Sequence, residues 1–181
     1  MQLRMSARVL AAAGALALAT VLSSCGFDYA TDRVYTPGAG VNDRDASVDV
    51  LAAVVVSAAP GSGTFIASFA NNDQEHSATV TSVAGAGTSA GVQVDSFEPI
   101  EIAPGQLVNL ATDDAGIVIS GDLIEAGGFV TLEIGFGDGD SVQVDVPIVP
   151  PCNEYEGLDK STDASGADEC TVETPDASPE S

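Results

Sequence analysis

The sequence predicts an all-β domain, an antiparallel β-sandwich, between residues 47 and 150. Three observations predict it. Short runs rich in Val, Ile, Thr and Phe alternate with Gly, Pro, Asn and Asp at the spacing of strands and turns. No stretch of this region has the clear 3.6-residue apolar period of an amphipathic helix. Apolar residues make up 45% of the chain and aromatic residues only 5%, so the core must be built from aliphatic side chains.

About eight strands are expected, and about 100 residues of such a sandwich can bury a core unaided. In chain order the predicted strand segments are 47–56, 64–70, 77–85, 91–97, 98–111 (bent at a Pro-Gly turn), 116–120, 127–136 and 141–149. "APGSG" (59–63) and "GDGD" (137–140) predict the turns of hairpins, since Asp-Gly pairs suit tight turns. Residues 120–127 are either a helical turn or a loop.

Residues 1–24 have the features of an export signal. Arg4 and Arg8 precede an apolar run, 9–22, that is shorter than the roughly 20 residues needed to cross a bilayer as a helix. The following Leu22-Ser23-Ser24-Cys25 resembles the bacterial lipobox, in which the cysteine thiol receives a diacylglyceryl group. We therefore predict that Cys25 is lipidated and holds the protein to the extracytoplasmic face of a membrane. The alternative is an ordinary buried or disulfide-bonded cysteine.

The segments that flank the sandwich are polar. Residues 25–46 are rich in turn-forming residues and predict a linker or stalk. Residues 151–181 are acidic, contain few large aliphatic residues and predict a largely disordered tail. With Cys25 taken by lipid in an oxidising compartment, Cys152 and Cys170 are expected to form a disulfide within this tail. Two exposed redox-active thiols are the alternative.

The charge of the chain bears on its partners. All 27 acidic residues follow Cys25, while the cations after it are Arg33, Arg44 and Lys160. Such a surface repels nucleic acid, so nucleic-acid binding is not expected. The expected partners are the membrane, through the lipid on Cys25, and an unknown protein.

Motifs for catalysis or cofactor binding are weak. His76 is the only histidine and follows "NNDQE", so we interpret it as a solvated loop residue and not as a ligand or general base. A Ser-His-Asp triad would have to use this histidine, and no G-x-S-x-G or P-loop motif is present. "DGD" (138–140) and "DD" (113–114) suggest calcium, but the EF-hand spacing is missing and a turn is the better interpretation. No enzyme activity, cofactor or metal site is predicted.

A family resemblance lies in residues 97–148. "IEIAPGQLVNL", "AGIVISGDL", "IEAGGFVTLEIGF" and "DSVQVDVPI" resemble, in the same order, the second half of the periplasmic copper chaperone family known as PCuAC. "GTFIASFANND" (63–73) is similar to an earlier strand of that family. The layout with its lipobox also resembles a branch of actinobacterial lipoproteins with such a domain. The resemblance implies a cupredoxin-like sandwich.

The resemblance fails at the copper ligands. The family's His-x-Met pair falls here on Gly116 and Val118, and both methionines of the chain, Met1 and Met5, lie in the signal. Cu(I) sites need thioether, thiolate or imidazole donors. The sequence therefore predicts a non-enzymatic, lipid-anchored envelope or interaction module with a copper-chaperone-like fold. The alternative is metal handling through His76, the acidic tail or Cys152 and Cys170.

Overall fold

The computed structural model describes residues 38–112 and 115–161, and these form ten β-strands and two short 3-10 turns. The strands are β1 (Val41–Asp43), β2 (Val48–Ala59), β3 (Ser62–Asn71), β4 (Ala78–Gly85), β5 (Gln93–Val94), β6 (Ile100–Ile102), β7 (Leu107–Asn109), β8 (Ile117–Ser120), β9 (Phe129–Phe136) and β10 (Ser141–Val149). The 3-10 turns are Gly87–Ser89 and Asn153–Tyr155. The predicted all-β sandwich is confirmed.

Two sheets face each other. The first contains β1, β2, β3, β5, β7 and β8, and the second contains β4, β6, β9 and β10. All pairings are antiparallel except one, in which Ile148 and Val149 of β10 run parallel to Val55 and Val56 of β2. This short parallel pairing joins the two sheets at one corner, which the antiparallel prediction did not anticipate.

The core follows in part from the period-2 alternation of two strands that are buried on one face. In β9 and β10 every second residue is buried, from Val130 to Phe136 and from Val142 to Ile148. Phe65, Ala67 and Phe69 of β3 belong to the same core cluster and are at most 3% exposed. The interior is aliphatic with a few phenylalanines, as the composition predicted.

The sandwich has two different ends. We call one the cleft end; it is formed by the turns 72–77, 103–106 and 137–140. We call the other the loop end; it is formed by the β2–β3 turn (59–62) and the loop 121–128. At the loop end Ile124 is fully buried, the Gly61 N–H donates to its carbonyl at 2.8 Å, and the Gly121 N–H donates to the Gly61 carbonyl at 3.0 Å. Residues 120–127 are therefore a loop pinned by β2–β3, and not a helical turn.

The described domain extends beyond 47–150 at both margins. Val41–Asp43, in the predicted stalk, forms β1 and pairs with β2. Residues 151–161, in the predicted tail, contain the buried Asp159 and Ser161 and pack on the sandwich. The predictions for 1–24, for Cys25, for most of the stalk, for Asp113 and Asp114 and for the tail after residue 161 lie outside the described residues.

Candidate functional site

A cleft of about 400 Å³ lies at the cleft end. The turn 72–77 forms one wall, the β9–β10 turn forms another, and Ser47 lies between them just before β2. Its lining consists of Ser47, Asn71, Asp73, His76, Ser77, Ala78, Thr79, Phe136, Gly137 and Asp138. A volume of this size suits a small ligand or a single side chain of a partner.

Asn71 organises the first wall. It is the last residue of β3 and is 4% exposed, and its Nδ2 donates to the His76 carbonyl at 2.8 Å and to the Ile102 carbonyl at 3.2 Å. Its Oδ1 accepts the Asp73 N–H at 3.0 Å. A buried amide that satisfies the backbone of two loops fixes their relative position. An Asn that ends an apolar strand is a sequence signal for this role, but by itself it does not predict a function for Asn71.

Asp73 shapes the turn that follows. Its Oδ1 accepts the N–H groups of Glu75 at 2.7 Å and His76 at 3.1 Å, and its Oδ2 lies 3.0 Å from His76 Nδ1. The backbone hydrogen bonds, with a smaller contribution from the His76 side chain, lower the pKa of Asp73 below 3.8. His76 itself lies exposed in this loop, as predicted. The carboxylate is therefore ionised at neutral pH and open to solvent.

Asp138 provides the opposite carboxylate. It lies in the β9–β10 turn, where Gly139 has a φ of +93° and the Asp140 N–H donates to Asp138 Oδ1 at 3.0 Å. A hydrogen bond from the Ser47 side chain, followed by that from Asp140, lowers the pKa of Asp138 below 3.8. The predicted Asp-Gly turn is confirmed.

Together the cleft brings two ionised carboxylates, an imidazole and the hydroxyls of Ser and Thr residues onto one concave surface. Such a set of acceptors suits a cationic group with N–H donors. Within residues 38–112 and 115–161, no three His, Cys, Asp or Glu side chains are grouped so as to hold a metal ion.

The positions that the family resemblance assigns to copper ligands lie elsewhere. Val118 is part of β8, and Gly116 lies directly before this strand. A Cβ at residue 116 would overlap the Cγ2 methyl of Thr64 and lie 3.3 Å from that of Ile66. Residue 116 is therefore packed against β3 without space for a larger side chain.

The predicted cysteine pair is only partly described. Cys152 is disulfide-bonded in the structure. Cys25 and Cys170 both lie outside the described residues. The lipidation of Cys25 and the pairing of Cys152 with Cys170 therefore stay predictions. Among the described residues no helix is long and apolar enough to cross a membrane.

The chain is similar in structure to domains of known structure. No family model matches the chain, and no curated protein matches it. The apo PCuAC domain from PmoF1 is similar with a TM-score of 0.49 and 17% identity, over 61% of this chain and 100% of that domain. The copper-bound PCuAC domain from PmoF2 has a TM-score of 0.47 and 15% identity, over 61% of this chain and 99% of that domain. The copper in the second case is a property of that domain.

Proposed function

We propose that this protein is a non-enzymatic, lipid-anchored binding module of the cell envelope, with the cleft as its binding surface. The lipobox-like segment ending at Cys25 supports the anchor. The observation that carries the binding role is the pair of ionised, solvent-open carboxylates, Asp73 and Asp138, on opposite walls of one cleft. The ligand is a cationic group, such as a lysine or arginine side chain of a partner protein.

The closed position at Gly116 supports binding without copper. A copper chaperone that used the family's strand would need ligand side chains at residues 116 and 118. Here one position has no space for a side chain, and the other carries valine. Of the soft donors that Cu(I) requires, the described residues contain only His76 and the disulfide-bonded Cys152.

The cationic ligand is tested with short peptides. Tri-lysine and tri-arginine are titrated into the isotope-labelled chain at low ionic strength, with tri-serine as the neutral probe. We expect amide shift changes confined to residues 71–79 and 136–140, which weaken on addition of salt because exposed charges are screened. The double variant Asp73→Asn/Asp138→Asn should lose them, while Asp122→Asn/Glu125→Gln, which removes the same charge at the loop end, should keep them. Equal loss in both variants would contradict a specific cleft.

Metal handling is tested separately. The purified chain without a tag is titrated with Cu(I), Cu(II), Zn(II) and Ca(II). We expect no stoichiometric binding at micromolar concentrations. Tight binding of one of these ions, lost on His76→Gln, would replace the proposal by the metal-handling alternative.

The lipid anchor is tested by labelling cells with radioactive fatty acid, which should enter the protein and fail to enter the Cys25→Ala variant.

A further inference from the structure

Exposed large apolar side chains divide between the two ends of the sandwich. Within the described residues they are Leu107, Leu123 and Phe129, which are 53%, 50% and 68% exposed. Leu123 and Phe129 both border the loop end: Leu123 lies within the loop, and Phe129 begins β9 directly after it. The Leu123 carbonyl also lies 4.0 Å from the position of a Cβ on Gly128. Leu107 pairs with Ala70 near the end of β3 and so lies toward the cleft end.

The acidic side chains of the turns are distributed in the opposite sense. The turns of the cleft end carry Asp73, Glu75, Asp138 and Asp140, whereas the loop end carries Asp122 and Glu125. Carboxylates avoid the low dielectric of a lipid surface, whereas phenylalanine and leucine side chains bury favourably at the boundary between headgroups and acyl chains. Of the two ends, the loop end is therefore the better match to a membrane.

The direction of β1 agrees with this assignment. β2 runs from Val48, at the cleft end, to Ala59, at the loop end, and β1 is antiparallel to it. The described chain therefore enters β1 from the side of the loop end. From Cys25 to Gly38 the backbone can span at most about 45 Å, similar to the roughly 40 Å length of a twelve-residue strand. A domain anchored at Cys25 is thus held within about its own length of the lipid.

We infer that the loop end is a membrane-docking surface, in which Phe129 and Leu123 insert into the lipid that holds the anchor. This inference rests on the proposed lipid anchor at Cys25. Because the chain between Cys25 and Gly38 keeps the domain close to the lipid, contact of the loop end with the membrane is an intramolecular step. Insertion of two apolar side chains then suffices to favour one orientation of the domain. In that orientation the cleft faces away from the membrane, toward soluble or surface-bound partners.

The sequence contains no tryptophan, which allows a direct test. Phe129→Trp and Leu107→Trp variants of the full, lipidated chain are reconstituted into vesicles of neutral phosphatidylcholine, with and without brominated acyl chains. Neutral lipid is the probe because the chain is strongly acidic. We expect blue-shifted emission for Phe129→Trp and a severalfold larger loss of emission to the brominated lipid than for Leu107→Trp. Both positions are more than half exposed, so both variants should fold.

The outcomes separate the two proposals. Failure of the chain to float with the vesicles would overturn the lipid anchor. Flotation with equal or no quenching at the two positions would overturn membrane docking and leave the anchor intact, and the apolar pair would then be open to a protein partner. A Leu123→Trp reporter should be quenched as well, and less so when Phe129→Ser is added. Unchanged quenching in that double variant would overturn joint insertion.

Discussion

Asp159, near the loop end, and Asp73, at the cleft end, perform the same chemical task in different surroundings. Asp159 is 9% exposed and accepts hydrogen bonds from the Ala58 N–H at 2.8 Å and the Thr64 hydroxyl at 3.0 Å, groups 101 and 95 residues away in sequence. The side chain of Asp73 is 51% exposed and accepts bonds only from residues two and three positions further along. One carboxylate holds distant parts of the chain together, and the other shapes its own turn.

The difference separates structural from functional carboxylates. A buried carboxylate with several donors is strongly coupled to the fold, because its removal leaves buried donors without partners. An exposed carboxylate in a local turn keeps its remaining lone pairs for a solute. The loop end is thus held by buried hydrogen bonds to a C-terminal segment, while the cleft end has carboxylates that are open to solvent.

The largest expected effect is at Asp159. Asp159→Ala removes the acceptor of Ala58, Thr64 and the Ser161 N–H, and should lower the free energy of unfolding by about 3 kcal/mol. Asp159→Asn keeps one carbonyl acceptor and should lose about half as much. Urea unfolding measures both.

The control for this comparison is Glu156→Ala, an exposed acidic residue of the same C-terminal segment, which should change stability by less than about 0.5 kcal/mol. Similar losses for Glu156→Ala and Asp159→Ala would show that net charge, and not the buried hydrogen bonds, determines the effect.

The second prediction concerns Thr64, which donates a hydrogen bond to Asp159. Gly116→Ala drives a methyl group against Thr64, whose hydroxyl also accepts the Lys160 N–H at 2.6 Å. We expect a loss of about 2 kcal/mol from overpacking. Gly91→Ala is the matched control, since nothing lies within 4 Å of its Cβ position, and should be neutral or slightly stabilising. Combined with Asp159→Ala, the Gly116→Ala loss should be less than additive, because both act through Thr64.

Asp159 and Gly116 make contacts that the local sequence does not predict. Alternation in 127–136 and 141–149 located β9 and β10 almost to the residue, because a strand buried on one face has a period of two. Residues 151–161 belong to the predicted, largely disordered tail, because "CNEYEGLDKS" has no periodicity and little apolar content. The segment is held by Asp159 and by a hydrogen bond from the Lys160 N–H, with partners some 100 residues away, and by the packing of Tyr155 and Leu158 on the core. Contacts of that kind have no local signature.

The candidate site was predictable in part. The Asp-Gly turn and the exposed loop at His76 follow from local turn chemistry. The two turns meet in one cleft because β3 and β9 both end at the same end of the sandwich. The sequence predicted both strands but not how their ends are placed in space, so Asp73 and Asp138 could not be assigned to a common site.

The third prediction concerns the middle of β2, between the two ends. Ala52 has a φ of +51° at an irregularity in the β2–β3 pairing, a conformation that costs a residue with a Cβ about 1–2 kcal/mol. Ala52→Gly should raise the free energy of unfolding by about 1 kcal/mol, after the larger entropy of glycine in the unfolded chain is deducted. Its neighbour Ala53 is fully buried and has no positive φ, so Ala53→Gly should be destabilising. The opposite signs, measured by thermal unfolding, would establish the strain at residue 52.

The smallest effects are expected in the cleft, where the two carboxylates can be distinguished by their hydrogen-bond donors. Carboxyl-carbon NMR should give Asp73 and Asp138 pKa values below 3.8, so each contributes stability above that pH and loses it as the pH falls through the lowered value. Ser47→Ala removes the hydrogen bond that contributes most to the lowered pKa of Asp138. This variant should raise the pKa of Asp138 without changing that of Asp73. His76→Gln removes only a smaller contribution to the lowered pKa of Asp73, because the backbone donors of Glu75 and His76 remain. The rise in the pKa of Asp73 should therefore be smaller than the rise at Asp138 in Ser47→Ala. A change in both pKa values in either variant would contradict independent carboxylates and show that the two walls of the cleft are coupled.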